Sequence, residues 1–219
     1  MNSYSHYNNK HIPFDLILDT LFGSKTNGFF IELGANDGIN QSNTAFFEFH
    51  RQWKGVLIEP SPNAFLKCVE SRPNSKCFNT ACVSNKYANS FIEGDFNGSM
   101  MASVNGMRTN NQELIKVKTA TLESILDSIH VEKIDFLSLD AEGYEYEILN
   151  GLNLDKYRPT YMLIEIYTKD FDKLVLFLER NNYKLLMNLS NYNPIENPGY
   201  DGTHNDYIFI NLLNNAYLK

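Results

Sequence analysis

Apolar and polar positions alternate along the first third of the chain in two ways. Two short runs are largely apolar, as expected for strands buried on both faces of a sheet, and they cover residues 29–33 and 55–59. Around them, apolar residues recur every three or four positions, which predicts helices at residues 14–22, 43–52 and 64–71. Pro13, Ser61 and Pro62 stand just before or at the start of two of these helices, where such residues are common.

The same alternation returns in the second half of the chain. It predicts strands at residues 134–139, 161–166, 183–187 and 207–210, and helices at residues 122–129, 144–149 and 171–181. Strands that alternate with helices form a mostly parallel sheet with helices on both faces, so the sequence predicts an α/β fold. Ligands bind such sheets beyond the carboxyl ends of the strands.

The middle of the chain is less regular. A strand is predicted at about residues 77–83, another at residues 90–93 and an exposed one at residues 115–119. Residues 84–112 are otherwise polar and rich in Gly, Asn and Ser, and a connection of this length is usually a binding loop. Within it, Ser99-Met100-Met101 is a candidate cover for a substrate.

Length and composition predict one domain at residues 13–219 behind a flexible N-terminal arm at residues 1–12. The chain has 219 residues and a net charge of −7, which argues against nucleic acid as a partner. Its apolar runs are too short to cross a membrane, and its polar N-terminus does not resemble a signal peptide. The three cysteines lack CxxC spacing, so we expect free thiols and a cytoplasmic protein. The arm or a late helix is a candidate contact for a homodimer.

The corner after the first strand, Glu32-Leu33-Gly34-Ala35-Asn36-Asp37-Gly38, carries the first candidate chemistry. Its glycines allow a ligand to approach the backbone closely, and Asn36 tolerates a left-handed conformation. The corner lacks the G-x-G-x-x-G pattern of dinucleotide-binding proteins. Glu32 and Asp37 would repel a pyrophosphate, whereas they suit a cationic ligand such as the sulfonium and ammonium groups of S-adenosylmethionine.

Two further acids are predicted at the same edge of the sheet. Glu59 ends the next strand, where a carboxylate accepts hydrogen bonds from the two hydroxyls of a ribose. Asp140 ends a later strand. The three acids together predict a nucleotide-type ligand.

Six segments carry a family resemblance: E-L-G-A-N-D-G at residues 32–38, Q-S-N-T at 41–44, W-K-G-V-L-I-E-P-S-P at 53–62, T-L-E-S-I-L at 121–126, I-D-F-L-S-L-D-A-E-G-Y-E at 134–145 and H-N-D-Y-I-F at 204–209. With these segments the chain resembles the FkbM-type class I methyltransferases over about residues 13–211. The L-D-A-E-G-Y-E block is the most specific of them. Family members commonly carry Asp where this chain has Glu32, which keeps the charge.

The resemblance implies a Rossmann-like class I methyltransferase fold, with a seven-stranded, mostly parallel sheet and an antiparallel last strand. It also implies S-adenosylmethionine as the cofactor and O-methylation of a sugar, glycan or sugar nucleotide. Glu32, Gly34, Ala35 and Asn36 would line its methionine part, Glu59 would hold the ribose, and Ala81, Cys82 and Val83 would lie near the adenine. The remaining predicted cofactor contacts are Asp37, Asn43, Thr44, Pro60, Ser61, Asp140, Ala141 and Glu142.

The chemistry needs a group that takes the proton of the acceptor hydroxyl. Asp140 is the first candidate because it ends a strand, and Glu165 is the second because an acid in an apolar strand is costly unless paired or functional. His204 precedes the last strand and titrates in the useful range. Asp140, Glu165 and His204, or Asp206 in its place, would also suit Mg²⁺ or Mn²⁺. Alternatively, Asp140 holds the methionine amino group or orients His204, and Glu142 is a helix-start acid.

Aromatic residues and the other histidines complete the candidates. Tyr192 and Tyr200, in a late loop, are candidates for stacking on a sugar, whereas His6, His11, His50 and His130 are expected to be structural. Two other functions compete with methyl transfer. One is an NAD-dependent oxidoreductase, disfavoured by the missing glycine pattern and the acidic corner. The other is a non-catalytic methyltransferase-like binding subunit, disfavoured by the acids that remain.

Overall fold

The computed structural model describes residues 3–96 and 114–213. Ten strands and six α-helices lie in this part of the chain, together with a single 3-10 turn at Thr168–Asp170. The helices are α1 (Phe14–Leu21), α2 (Ala45–Arg51), α3 (Pro62–Ser71), α4 (Leu122–Ile129), α5 (Glu145–Leu149) and α6 (Phe171–Arg180). The strands are β1 (Phe29–Leu33), β2 (Lys54–Ile58), β3 (Lys76–Phe78), β4 (Ala81–Cys82), β5 (Phe91–Gly94), β6 (Ile115–Ala120), β7 (Phe136–Leu139), β8 (Tyr161–Tyr167), β9 (Tyr183–Asn188) and β10 (His204–Asn211).

Seven of these strands form the main sheet, in the order β3-β2-β1-β7-β8-β10-β9. The pairs from β3 to β8 are parallel, and β10 lies antiparallel between β8 and β9. This confirms the predicted seven-stranded, mostly parallel sheet with an antiparallel last strand. The carboxyl ends of β1, β2 and β7 therefore meet at one edge.

Helices cover both faces of the main sheet. Successive side chains of a strand point to opposite faces, so neighbouring residues of one strand pack against different sets of helices. On one face, Ile31 of β1 and Leu137 of β7 pack with residues of α4, α5 and α6. On the other face, Phe30 and Phe136 pack with residues of α1, α2 and α3. We call the second one the α1–α3 face.

The prediction of a single strand at residues 77–83 is wrong, because two separate strands lie there. The chain forms β3 in the main sheet, leaves it at Asn79 and Thr80, and then forms β4 in a separate three-stranded sheet of order β4-β6-β5. Two hydrogen bonds hold the break, from Asn79 Nδ2 to the backbone carbonyls of Glu59 and Pro60, at 2.9 Å and 3.0 Å. The small sheet consequently stands beside the carboxyl end of β2.

Residues 3–12 lie against the body of the domain. The Tyr4 side chain packs against the core of the α1–α3 face, and Ser5 and Asn9 are buried. The Asn9 N–H donates a 2.8 Å hydrogen bond to the Ser190 carbonyl in the loop after β9. In the described part of the chain, no helix is long and apolar enough to span a membrane. The predicted cover at residues 99–101 falls outside the described residues.

Candidate active site

A pocket opens at the carboxyl edge of the main sheet, between the ends of β1, β2 and β7 and the small sheet. The predicted residues on its wall are Gly34, Asn36, Glu59, Pro60, Ala81, Cys82, Asp140, Ala141 and Glu142. They come from four separate segments of the sequence. The topology of an α/β sheet brings them together, as the position of the strand ends predicted.

The corner after β1 is shaped by residues in left-handed conformations. Gly34 has a φ of +76°, and a Cβ atom there would lie 2.1 Å from the backbone oxygen of Asp140. The ends of β1 and β7 therefore approach too closely for any side chain at Gly34. Asn36, with a φ of 48°, occupies a left-handed position that Asn tolerates better than most residues. The corner thus faces the pocket with its backbone.

Glu59 joins this corner to the end of β2. Its Oε2 accepts a 2.8 Å hydrogen bond from the Asn36 N–H, and its Oε1 accepts a 2.7 Å bond from the Ser61 N–H. The residue is 6% exposed, and burial raises the pKa of its carboxyl to about 7, although the two N–H donors oppose the shift. Each oxygen has a further lone pair with which to accept a hydrogen bond from a ligand hydroxyl.

The small sheet supplies the apolar wall of the pocket. Ala81 and Cys82 belong to β4, and Phe96 follows β5. Cys82 is buried, which raises the pKa of its thiol to about 12, so the thiol is neutral and acts as a small apolar group. A flat, weakly polar ring fits such a surface.

A cluster of carboxyl groups lies around the end of β7, where Asp140 lines the pocket. One oxygen from each of Asp140, Glu145 and Glu165 lies within 4.8 Å of the other two. Glu145 Oε1 also accepts hydrogen bonds from the N–H groups of Ala141 and Gly143, at 2.9 Å and 3.0 Å. The block at residues 139–145 therefore folds back on itself and brings Glu145 close to Asp140.

The pairing of β8 with β10 adds His204 and Asp206 to this region. Glu165 lies directly opposite Asp206, and Tyr167 lies opposite His204. Glu165 Oε1 is 3.3 Å from His204 Nε2, while the buried Glu165 Oε2 has no hydrogen-bond partner within residues 3–96 and 114–213. The other nitrogen, His204 Nδ1, lies 2.8 Å from the Thr203 hydroxyl. A histidine is thus held between a carboxylate and a hydroxyl.

Burial and mutual repulsion control the protonation of these acids. Burial raises the pKa of Asp140 well above its usual value, and the neighbouring Glu142, Asp206 and Glu145 raise it further. The pKa of Glu165 rises for the same two reasons. Burial also raises the pKa of Glu145 and of Asp206 to about 7. A group of carboxyls that resists ionisation in this way favours a bound cation or a shared proton.

The comparison with protein families decides the identity of the domain. A model of the methyltransferase FkbM domain matches residues 32–185, which is more than half of the chain. The chain belongs to the FkbM methyltransferase family. The matched range contains the corner, Glu59, the Asp140 block and Glu165.

A curated relative and two solved structures resemble this FkbM methyltransferase. Hexuronic acid methyltransferase AglP of Haloferax volcanii is 26% identical over 124 residues, which cover 54% of this chain and 51% of that protein. The chain thus matches about half the length of this relative. A TehB-like SAM-dependent methyltransferase of Corynebacterium glutamicum has a TM-score of 0.50 at 8% identity, covering 90% of this chain and 86% of that one. The methyltransferase domain of bacterial CtHen1-C has a TM-score of 0.51 at 8% identity, covering 90% and 96%. The two structures show that the fold is that of class I methyltransferases.

Glu32 does not lie on the wall of the pocket, in contrast to the prediction for the FkbM domain. Its carboxylate accepts hydrogen bonds from the Ser42 hydroxyl, the Asn43 N–H and the Thr44 hydroxyl, at 2.9, 2.8 and 2.6 Å. Alternation along β1 explains this, because Glu32 shares the α1–α3 face with Phe30. Glu32 therefore positions the loop that follows the corner.

Six other residues predicted to contact the cofactor do not line the pocket. Ala35, Asn43, Thr44, Ser61 and Val83 are buried and absent from its wall, and Asp37 is also absent. Asp37 accepts hydrogen bonds from the N–H groups of Ile39 and Asn40, and Ser61 caps α3 through the Ala64 N–H. The sequence did not predict Thr80 and Phe96 on the wall or Glu145 in the acid cluster, and it offered Tyr144 only as an aromatic that could stack on a sugar. Tyr144 and Glu145 had a signal, because they end the family block.

Proposed function

We propose that this protein uses S-adenosylmethionine to methylate a hydroxyl group of a sugar. The observation that carries the proposal is the position of Glu59, which lines one pocket with Asp140 and is held by the corner after β1. The wall of this pocket carries Glu59, a carboxylate suited to the ribose, together with Asp140 and Glu142, acids suited to a cation. Membership in the FkbM methyltransferase family supports the same reaction.

The residues present fit S-adenosylmethionine. When bound, this cofactor supplies a methyl group made electrophilic by a sulfonium. Glu59 would accept hydrogen bonds from the ribose hydroxyls, and Ala81, Cys82 and Phe96 would contact the adenine ring. Asp140 and Glu142 would attract the positively charged methionine end, and the backbone of Gly34 and Asn36 would lie beside it.

Glu165 and His204 are the proposed proton acceptors. A sugar hydroxyl is a poor nucleophile until it loses its proton, and a positioned base contributes about 10²–10⁴-fold to the rate. His204 Nε2 lies 3.3 Å from Glu165 Oε1, an arrangement that would stabilise the imidazolium, so Nδ1 is the nitrogen that would take the proton, with the acceptor hydroxyl in place of the Thr203 hydroxyl that now lies 2.8 Å from it. Asp140, at the end of β7, would orient the acceptor or the methionine amino group.

A sugar acid is the proposed type of acceptor. The support comes from the AglP relative, whose name identifies it as a hexuronic acid methyltransferase. The shared region is about half of that protein, so transfer to several acceptors has to be measured for this chain itself. The methylated atom is proposed to be a hydroxyl oxygen.

A divalent cation is a second component of the proposal. Asp140, Glu145 and Glu165 would hold it, because their oxygens lie within 4.8 Å of one another and Glu165 Oε2 has no partner among the described residues. Oxygen ligands of this kind suit Mg²⁺ or Mn²⁺. Glu145 replaces His204 in the ligand set predicted from the sequence, and His204 stays beside it as a base.

Calorimetry with S-adenosylhomocysteine and with NADH in parallel tests the cofactor. We expect S-adenosylhomocysteine to bind and NADH not to bind, and the reverse result would overturn the proposal. Transfer of a radiolabelled methyl group to glucuronic acid, galacturonic acid, glucose and their glycosides then tests the reaction, with and without EDTA. Activity that EDTA leaves unchanged would remove the cation from the account. Cofactor binding without transfer to any acceptor would favour a non-catalytic subunit.

A further inference from the structure

We propose that the acceptor sugar binds in a groove between residues 5–11 and the loop that follows β9. This inference rests on the proposed function and assigns the substrate side of the same site. The groove, called the arm groove here, is bounded chiefly by His6, Tyr7, His11, Gln41, Tyr192 and Asn197. Neither His6 nor His11 was expected from the sequence to have more than a structural role.

A chain of contacts joins the arm groove to the proposed base. The rings of Tyr192 and Tyr200 lie 5.9 Å apart, and those of Tyr200 and His204 lie 6.4 Å apart. The Tyr200 hydroxyl also donates a 2.7 Å hydrogen bond to the His204 carbonyl. On the other wall, burial lowers the pKa of His6 and the nearby His204 lowers it further. The groove is therefore linked through Tyr192 and Tyr200 to the histidine that would take the acceptor proton.

The directions of side chains in β8 and β10 also support a sugar site on this side of the main sheet. Leu163 of β8 and Ile208 of β10 pack on the α1–α3 face, so Glu165, two residues from Leu163, and His204, four residues from Ile208, point to that face as well. Tyr4 of the N-terminal segment packs against the same core. The segment thus lies on the side of the sheet toward which the proton-accepting residues point.

The two walls of the groove are tied together by hydrogen bonds. The Asn9 N–H donates to the Ser190 carbonyl at 2.8 Å, and the Tyr192 hydroxyl donates to the Tyr7 carbonyl. The Asn9 side chain also donates to Glu196. A groove held in this way is formed before a ligand arrives, which lowers the entropy cost of binding.

The side chains of the groove suit a sugar. Tyr7 and Tyr192 offer aromatic surfaces to the C–H groups of a pyranose ring, and the imidazoles and amides offer hydrogen-bond donors and acceptors to its hydroxyls. Among the described residues, no carboxylate lines this groove, in contrast to the pocket proposed for the cofactor. A neutral or anionic sugar therefore meets no repelling charge on its wall.

His11 and His130 provide a matched pair for the test. Both are exposed and both are left-handed, with φ values of 58° and 55°, but His11 lines the groove whereas His130 ends α4 away from it. Asn tolerates this conformation, so His11→Asn and His130→Asn change the side chain at the same conformational cost. Tyr7→Ala removes a ring of the groove and leaves the Tyr7 carbonyl, which accepts from Tyr192, in place.

The experiment first measures S-adenosylhomocysteine affinity of the wild type and the three variants by calorimetry. It then measures binding of glucuronic acid, galacturonic acid and glucose to each loaded protein by ligand-observed NMR. We expect at least one sugar to bind the wild type, and Tyr7→Ala and His11→Asn each to weaken it by about 3- to 10-fold, the size of one lost hydrogen bond or ring contact. His130→Asn should change nothing, and all four proteins should bind S-adenosylhomocysteine equally.

Two results would overturn the inference alone. One is a loaded wild type that binds none of these sugars, and the other is a sugar affinity that Tyr7→Ala and His11→Asn leave unchanged. A wild type that fails to bind S-adenosylhomocysteine would instead overturn the proposed function, and the inference with it.

Discussion

The backbone N–H of Asn36 donates a 2.8 Å hydrogen bond to Glu59 Oε2, although the two residues belong to different strand–helix corners. The second oxygen of the same carboxylate accepts from the Ser61 N–H at 2.7 Å. One side chain therefore sets the distance between the corner after β1 and the end of β2. In the proposed function, the same carboxylate also receives the ribose.

Replacing Glu59 by Gln tests this double role. The amide nitrogen of Gln would face an N–H donor at one of the two positions, so both the corner and the ribose contact are disturbed. We expect the affinity for S-adenosylhomocysteine to fall at least about tenfold, since hydrogen bonds to charged groups contribute about 1.5–3 kcal/mol each. Calorimetry measures the change. Glu70→Gln on the exposed side of α3 is the control, and an equal loss in both variants would contradict the assignment.

The affinity for S-adenosylhomocysteine should also depend on pH through Glu59. Burial raises the pKa of Glu59 to about 7 in the free protein, while hydroxyl donors bind the ionised carboxylate better. The free protein therefore holds a proton below pH 7 that binding must release. We expect the affinity to be constant well above pH 7 and to fall toward about tenfold per pH unit below it. Calorimetry from pH 5 to pH 8.5 tests this.

Other acids of the site titrate near the same pH, so the Glu59→Gln variant is needed to assign the effect. Glu145 and Asp206 also have pKa values raised to about 7 by burial. A pH dependence that survives Glu59→Gln unchanged would assign the proton to one of them.

Gly34→Ala tests the close approach of β1 and β7. A Cβ atom at this position would lie 2.1 Å from the Asp140 backbone oxygen, and the φ of +76° adds strain. Gly23 has a similar φ of +62° with open space around it, so Gly23→Ala isolates the strain, about 1–2 kcal/mol. We expect Gly34→Ala to lower the free energy of unfolding by clearly more than Gly23→Ala, and to abolish binding of S-adenosylhomocysteine. Urea unfolding and calorimetry measure the two effects, and equal losses of stability would show that the strands move apart freely.

Glu165→Gln separates stability from activity in the acid cluster. The residue is 8% exposed and lies among other acids, so a neutral amide of the same shape removes the cost of burying an acid there. We expect the midpoint of thermal unfolding at pH 8 to rise, while methyl transfer falls about 10²–10⁴-fold because Gln can neither accept a proton nor stabilise the imidazolium of His204 as an ionised Glu165 would. A scanning calorimeter and the radiolabel assay measure the two. Full activity in this variant would remove Glu165 and His204 from the proposed chemistry.

Patterns of apolar and capping residues predicted most of the fold, because in this chain the segments that they mark also form the strands and helices of the packed domain. β1 at residues 29–33 and α4 at residues 122–129 have the predicted limits, the first because it is buried on both faces and the second because Thr121 caps it through the Ser124 N–H. The same reasoning placed Glu59 and Asp140 at strand ends, where the structure brings them into one pocket.

Features that depend on distant partners were not predictable in this way. The break at Asn79 and Thr80 is held by carbonyls of the loop after β2, so nothing in residues 77–83 alone distinguishes two strands from one. The role of Glu32 depends on Arg72, a buried residue that bonds Glu48 at 2.8 Å and the Gly38 carbonyl at 2.8 Å and lies 3.6 Å from Glu32. Period-two alternation in β1 does indicate which face Glu32 occupies, but not its partners.

The central claim is that the pocket between Glu59 and Asp140 holds the methyl donor. A crystal structure of the protein with S-adenosylhomocysteine tests it most directly. The account predicts the ribose hydroxyls within hydrogen-bond distance of Glu59, the adenine against Ala81, Cys82 and Phe96, and the sulfur on the side of Asp140. A ligand bound elsewhere, or one whose ribose lies away from Glu59, would contradict it.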